Sequence, residues 1–290
     1  MQPLLRFLTT TGVGSRRVCF KLIVDGRVRV NGHLIEDTTT PVEPDDIVKV
    51  NGRVVRGLEQ KAYLKLNKPR GIISTTSDEH GRRMVTDLIP RQYTRLRLFP
   101  VGRLDAQSTG LVLLTNDGDL AFRLSHPRFE VEKEYLVTLE APLTDGQQHA
   151  LERGVDIGGE HLTSAKVKSL PATAGLRYSL VIHEGRNHHV RRMLKSVGRE
   201  VMNLHRVRIH SLMLGRLPTG EVEELTTDEV RKLFKDLPEI EAEPKQQDRP
   251  TASLAPRRRP VAPRTRPPGR PPLRGRKPGA TGGVHRSRRT

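Results

Sequence analysis

Twice within the first 55 residues an alternating apolar run is broken by Asn-Gly, in RVRVNGHLI at 27–35 and in IVKVNGRVV at 47–55. Period-2 alternation puts the apolar side chains on one face of a strand, and Asn-Gly supplies the two left-handed residues that a tight hairpin turn requires. Two hairpins are therefore expected, and their apolar face needs a cover. The preceding LLRFLTTTGVGSRRVCFKLIVDG (4–26) supplies it. In this stretch Ser15 can cap a helix whose apolar positions Val18, Leu22 and Ile23 share a face, and Gly26 suits its C-terminal end. That helix begins on two arginines, Arg16 and Arg17.

After a short connector at 59–62 the pattern changes. YLKLNKPRGIIST (63–75) reads as strand, basic turn, strand, and short β patterns then continue to about residue 237: LFPVGRLD, GLVLLTNDG, KEYLVTLE, SAKVKSL, RYSLVIHEG and NLHRVRIHSLML. Helices are few, so the expected class is α+β with a mixed sheet. HHVRRMLKSVG reads as one helix, with Val190, Met193, Leu194 and Val197 on one side and Gly198 as its stop; TTDEVRKLFKDL reads as another, capped by Thr227. Beyond Pro238 the composition collapses into Pro, Arg and Gly, too poor in large apolar residues to offset the entropy of ordering, and disorder is expected over 238–290. The expected domains are thus 1–59, 62–237 and this tail.

The net charge of +18 makes a polyanion the first partner to consider, because Lys and Arg gain affinity by releasing counterions from phosphates. Residues 249–290 hold 13 Lys and Arg and no acid, so most of the excess lies in the tail, where it adds non-specific phosphate affinity. A single cysteine, Cys19, allows no intramolecular disulfide and no Cys-based metal set, which fits a reducing, cytoplasmic setting. No apolar run approaches the roughly 18 residues of a membrane span. Arg6, Arg16, Arg17 and Lys21 precede the first acid, Asp25, as in a transit peptide, but the folded module above needs the same residues.

One carboxylate stands out. In GRLDAQSTGLVLLTNDG (102–118), Asp105 sits between an Arg-Leu pair and a Gly-containing turn, ahead of an apolar strand. An isolated Asp in such a place is ordinarily a turn former or cap. A hydrolase pairing Asp105 with Asp117 or Asp119 is disfavoured, since the LVLL strand carries those acids away and an Asn-Asp-Gly turn accounts for them. Adjacent His188 and His189 point to different sides of any regular element and are not expected to share a metal.

The ordered set of segments carries two resemblances. Helix, TGVGSRR, helix, DGRVRVNG and a strand pair resemble the S4 RNA-binding domain, which implies that Arg6, Arg16, Arg17, Lys21, Arg27 and Arg29 face folded RNA. G-R-L-D, the Ser/Thr and Gly after it, the apolar strand and T-N-D-G-D-L-A resemble the RsuA/RluB/RluE/RluF family of pseudouridine synthases. KPRG (68–71), KEYLV (133–137), EGRNHHVRRM (184–193), LHRVRI and LMLGRLPTGEVEELT (204–226) follow in that family's order.

The resemblance implies isomerisation of a uridine in ribosomal RNA without metal or cofactor. The layout is most like the branch acting on 23S rRNA, with 16S rRNA enzymes sharing it. Asp105 would be the nucleophile, attacking C1′ of the ribose, with Arg191 as the cation that keeps it ionised and Arg186 in reserve. Tyr135 would stack on the base, Leu204 would line the pocket, and Arg103 would help displace the extruded base. Lys68, Arg70 and Arg192 would hold flanking phosphates. His189 departs from the Gln usual in the family. A monomer acting on rRNA, as such or within an assembling ribosome, is expected. The rival from another class is a catalytically silent RNA-binding assembly factor, against which the presence of Asp105, Tyr135 and Arg191 argues.

Overall fold

The structure, a computed structural model, describes residues 1–55, 60–158, 161–171, 176–186, 188–235 and 237. The expected tail and residue 59 of the connector lie outside these residues.

In the first segment, β1 (Gln2–Pro3), α1 (Leu4–Thr10) and α2 (Arg16–Val24) are followed by β2 (Val28–Val30), β3 (His33–Leu34), β4 (Pro41–Val42), β5 (Val48–Val50) and β6 (Arg53–Val54). Both hairpins form. Asn31 and Gly32, like Asn51 and Gly52, take positive φ, and the strands run antiparallel in the order β3-β2-β5-β6. Ser15 caps α2 by accepting the Val18 amide at 3.3 Å. The buried face of α2 differs in part from the expected one: Ile23 is buried as expected, but Val18 is 50% exposed and Cys19 is buried in its place. Cys19 and Ile23 are four residues apart, one above the other on a helix, and they meet Leu4, Leu8, Val28 and Val48 in a core of their own.

The larger segment builds one nine-stranded sheet. Its members are β7 (Tyr63–Lys68), β8 (Phe99–Pro100), β9 (Thr109–Thr115), β10 (Lys133–Leu139), β11 (Lys166–Ser169), β12 (Arg177–Ile182), β13 (Val201–Ile209), β14 (Leu212–Met213) and β15 (Val222–Glu224). The order is β11-β12-β10-β13-β9-β7-β15, with β8 on β9 and β14 on β13. Among the described residues every pairing in this sheet is antiparallel except β13 with β9.

That parallel pair joins the two halves of the sheet, and it depends on Gly110. Here φ is +102°, and a Cβ would lie 2.2 Å from the Arg206 carbonyl oxygen. Leu111 and Leu113 face one core with Leu120, Leu124 and Leu233, whereas Val112 and Leu114 face another with Leu66, Val137 and Met193. Burial on both faces explains why LVLL is continuous rather than alternating.

Four helices accompany this sheet: α3 (Gly118–Ser125), α4 (Asp145–Arg153), α5 (His189–Ser196) and α6 (Thr227–Phe234). α5 buries Val190, Met193 and Leu194 and ends at left-handed Gly198, as its spacing predicts. α6 is capped one residue earlier than expected: Thr226 and Glu229 form a reciprocal capping box. α3 and α4 were not anticipated. α4 buries only Leu151, which leaves its sequence almost no apolar period. Asp117, read as a turn residue, is the N-cap of α3 and accepts the amides of Asp119 and Leu120.

Candidate active site

Asp105 lies on the loop between β8 and β9, and its backbone is held from several directions. The Ser108 amide donates to the Asp105 carbonyl at 3.0 Å, and the Gly71 amide to the Ala106 carbonyl at 2.7 Å. The Ser74 hydroxyl bridges the Leu104 amide and carbonyl, each at 3.1 Å. Lys68, at the end of β7, donates to the carbonyls of Ser108 at 2.8 Å and Pro69 at 3.0 Å. The carboxylate itself accepts no hydrogen bond among the described residues. Its one ion-pair partner among them is His188, whose Nε2 is 3.7 Å from Oδ1.

Lys68 was expected at an RNA phosphate, and the structure corrects this: its ammonium is turned inward onto the carbonyls of Ser108 and Pro69. Burial pushes its ammonium down to about 8, against the attraction of Asp105 and with the repulsion of Arg206. It acts as a buried cation beneath the loop that presents Asp105.

The cleft in front of Asp105 has a volume of about 230 Å³. Its wall follows from strand geometry. Residues two apart share a face, so β10 presents Lys133 and Tyr135 while β13 presents Leu204 and Arg206, and Tyr135 lies across from Arg206 in the register. Lys133, buried, donates to the Val131 carbonyl at 3.0 Å and is pushed down to about 8 by burial and by Arg206. Arg206 donates from Nε to the Leu111 carbonyl at 2.8 Å. The start of α5 closes the cleft: His188, left-handed at φ 51°, turns outward to Asp105, whereas His189 turns inward and is buried.

Asp105, Tyr135, Leu204, Arg103 and Arg186 thus meet around one cleft. Arg186 is engaged by Glu184 at 2.8 Å. The expected pair between Asp105 and Arg191 is not formed. Arg191 donates to the Val201 carbonyl at 2.9 Å and, with His188, Arg192 and Lys195, lines a shallow groove beside the cleft. The reason is helical direction: successive positions on α5 diverge, and the position that overhangs Asp105 is His188.

Arg70 is exposed near β13, with Nη2 3.5 Å from the Met202 carbonyl. In the first segment Arg16, Arg17, Lys21 and Arg27 are exposed and form no ion pair among the described residues. Arg29 donates to the Gly32 carbonyl, and Arg6 is taken up by Asp119 of α3 at 2.5 Å. Asp119 being so engaged, and Asp117 accepting the Tyr63 hydroxyl as well as its capping amides, neither acid lies in the cleft to pair with Asp105.

Comparison with known proteins bears on this arrangement directly. Residues 62–196 match the family described as RNA pseudouridylate synthase, and residues 2–48 match the S4 domain. An uncharacterized RNA pseudouridine synthase of Mycobacterium leprae is 43% identical over 81% of this chain and 93% of that protein. The ribosomal large subunit pseudouridine synthase B of Bacillus subtilis is 39% identical over 80% of this chain and 96% of its own length. The chain belongs to the RNA pseudouridine synthases. Its architecture, an S4 domain ahead of the catalytic fold, is that of the RsuA group. A crystal structure of a pseudouridylate synthase, 30% identical, superposes with a TM-score of 0.59 and covers 80% of this chain and all of that one.

Sequence reasoning assigned no role to four residues that the synthase fold brings to this cleft: Ser108, Lys133, His188 and Arg206. His188 was seen only as half of a histidine pair. The other three carried a weak signal at most, since a Lys or Arg at a strand position reads as a solvated side chain until the sheet is assembled.

Proposed function

We propose that this synthase isomerises a specific uridine of ribosomal RNA, in 23S rRNA, in the cytoplasm, with Asp105 as the nucleophile. One observation carries the reading: Asp105 presents a carboxylate that accepts no hydrogen bond among the described residues to a cleft of nucleobase size, over a buried lysine and beside the ring of Tyr135. A carboxylate accepting hydrogen bonds is a poorer nucleophile, and one without a neighbouring cation in a dry cleft would take up a proton. Lys68 supplies that cation here, and the His188 ring lies 3.7 Å from the carboxylate. The name of the Bacillus relative supports an RNA target of the large subunit, and that of a dual-specificity RNA pseudouridine synthase RluF from Shigella flexneri, 38% identical over 88% of this chain, supports an RNA target.

The target uridine must leave its stack to enter, at a cost of a few kcal/mol that backbone contacts offset. Exposed Arg70 and Arg103 and the groove of Arg191, Arg192 and Lys195 stand at the entrance for this purpose. Inside, the ring lies against Tyr135 and Leu204, and Asp105 attacks C1′. As the Asp105–C1′ bond forms the N1–C1′ bond breaks and the uracil leaves as an anion; the ring turns, C5 attacks C1′ and displaces the Asp105 carboxylate, C5 then loses its proton and N1 gains one.

Replacing Asp105 by Asn tests the reading. The variant is expected to bind rRNA as the unaltered protein does and to form no pseudouridine; equal product from both proteins would overturn the assignment. Carbodiimide-dependent reverse-transcription stops, compared between strains with and without the gene, locate the uridine and decide between 23S and 16S rRNA.

A further inference from the structure

Six buried side-chain N and O atoms have no hydrogen-bond partner among the described residues. Three of them, Ser108 Oγ, His189 Nε2 and Arg206 Nη2, belong to residues of the cleft that holds Asp105. Buried polar groups are nearly always paired, so three orphans from a loop, a helix and a strand around one cavity mark a place where pairing comes from a ligand.

Their hydrogen-bonding capacities are defined by what else they touch. The Arg186 amide donates to His189 Nδ1 at 3.2 Å, which puts the proton of the neutral ring on Nε2. Burial pushes this histidine down to about 4, so at neutral pH the ring is uncharged and Nε2–H is a donor. Arg206 has Nε committed to the Leu111 carbonyl, and its orphaned Nη2 can only donate. Ser108 Oγ can donate or accept. The wall therefore offers two fixed donors and one group able to accept.

Uracil needs that complement. Its O2–N3–O4 edge reads acceptor, donor, acceptor. We propose that His189 Nε2–H, Arg206 Nη2–H and Ser108 Oγ read this edge of the extruded base, making His189 and Ser108 specificity-determining residues of the cleft. The proposal rests on the reading of Asp105 as the site of uridine isomerisation.

It also addresses a problem peculiar to that reaction. Between breakage of N1–C1′ and formation of C5–C1′ the ring must turn over about the line through N3 and C6. That turn exchanges N1 with C5 and O2 with O4, and it leaves the acceptor–donor–acceptor edge the same in kind. One set of fixed groups thus holds the base both before and after it turns. Cytosine presents acceptor, acceptor, donor, so it mismatches the set and reverses its edge on turning.

The test is a cycle between protein and RNA on a short rRNA stem-loop containing the mapped uridine, with 2-thiouridine or 4-thiouridine in its place, because sulfur is a weaker acceptor than oxygen. With the unaltered protein, kcat/KM is expected to fall about tenfold on at least one thio substrate, the effect of one weakened hydrogen bond. His189→Phe should fall by about the same factor on uridine and show no further loss with that thio substrate; His189→Gln, which keeps an N–H donor, should recover the sensitivity. Melting temperatures of both variants establish that they fold.

Equal thio penalties in His189→Phe and in the unaltered protein would overturn the proposal and leave these groups to a buried water. Absence of any thio penalty in the unaltered protein would overturn it without reference to a variant. Failure of the underlying reading looks different: no product from uridine RNA, or equal product from Asp105→Asn.

Discussion

A buried lysine is the residue on which this active site turns. Lys68 donates to the carbonyls of Pro69 and Ser108, on either side of the Asp105 loop, while its charge faces Asp105. Lys68→Met should therefore lower kcat by roughly a hundredfold, the scale of a small displacement of a catalytic group, with rRNA affinity retained; single-turnover kinetics at saturating RNA would measure it. A pH dependence follows from the same burial. Lys68 and Lys133 both titrate near 8 in the folded protein, below the ordinary lysine value, so raising the pH through 8 removes positive charge around the cleft. Activity should fall across that limb. Stability from these two groups runs the other way: the unfolded chain holds more protons than the folded one between 8 and the ordinary lysine value, and their contribution rises with pH in that window. A pH–rate profile that falls near 8 while these lysines cost no melting temperature would separate titration from denaturation.

At the scale of elements, the contact that decides the site is the parallel pairing of β9 with β13. It places the Asp105 loop, which leads into β9, beside the strand that carries Leu204 and Arg206. Gly110 permits that approach. Gly110→Ala meets both a left-handed backbone, costing about 1–3 kcal/mol for a non-glycine residue, and a collision with the backbone of β13. The variant is expected to melt well below the unaltered protein or to be recovered unfolded, measurable by thermal denaturation. α5 lines the cleft with its first turn: left-handed His188 reaches Asp105, and His189 turns inward to the buried wall.

At the scale of the whole molecule, polar contacts among the described residues join the S4 domain to the catalytic domain. Arg6 pairs with Asp119, and Arg97 donates to the Gly12 carbonyl at 2.8 Å. The Arg6 pair is solvent-exposed and worth little in stability. Arg16, Arg17 and Lys21, exposed and without ion pairs among the described residues, remain available to phosphates. Replacing all three by Ala should reduce the slope of log Kd against log salt for rRNA by about 2–3 and raise KM more than it lowers kcat. An unchanged salt slope would mean that these side chains do not meet phosphate.

Local rules determined what local rules can reach. Asn-Gly pairs needed no partner elsewhere to specify two hairpins, Ser15 and Gly198 marked helix ends, and LVLL declared an apolar strand. The order of segments was enough to single out Asp105, Tyr135 and Leu204, because their neighbours along the chain are part of the pattern. Only the tertiary structure decided which charged side chains surround Asp105. Lys68, Lys133 and Arg206 look like surface charges when read along the chain, and they become interior ones because strands distant in sequence close over them. Arg191 has the right neighbours in sequence and the wrong direction on its helix. Burial and the direction of a side chain are properties of packing between distant elements, and no window of neighbouring residues contains them.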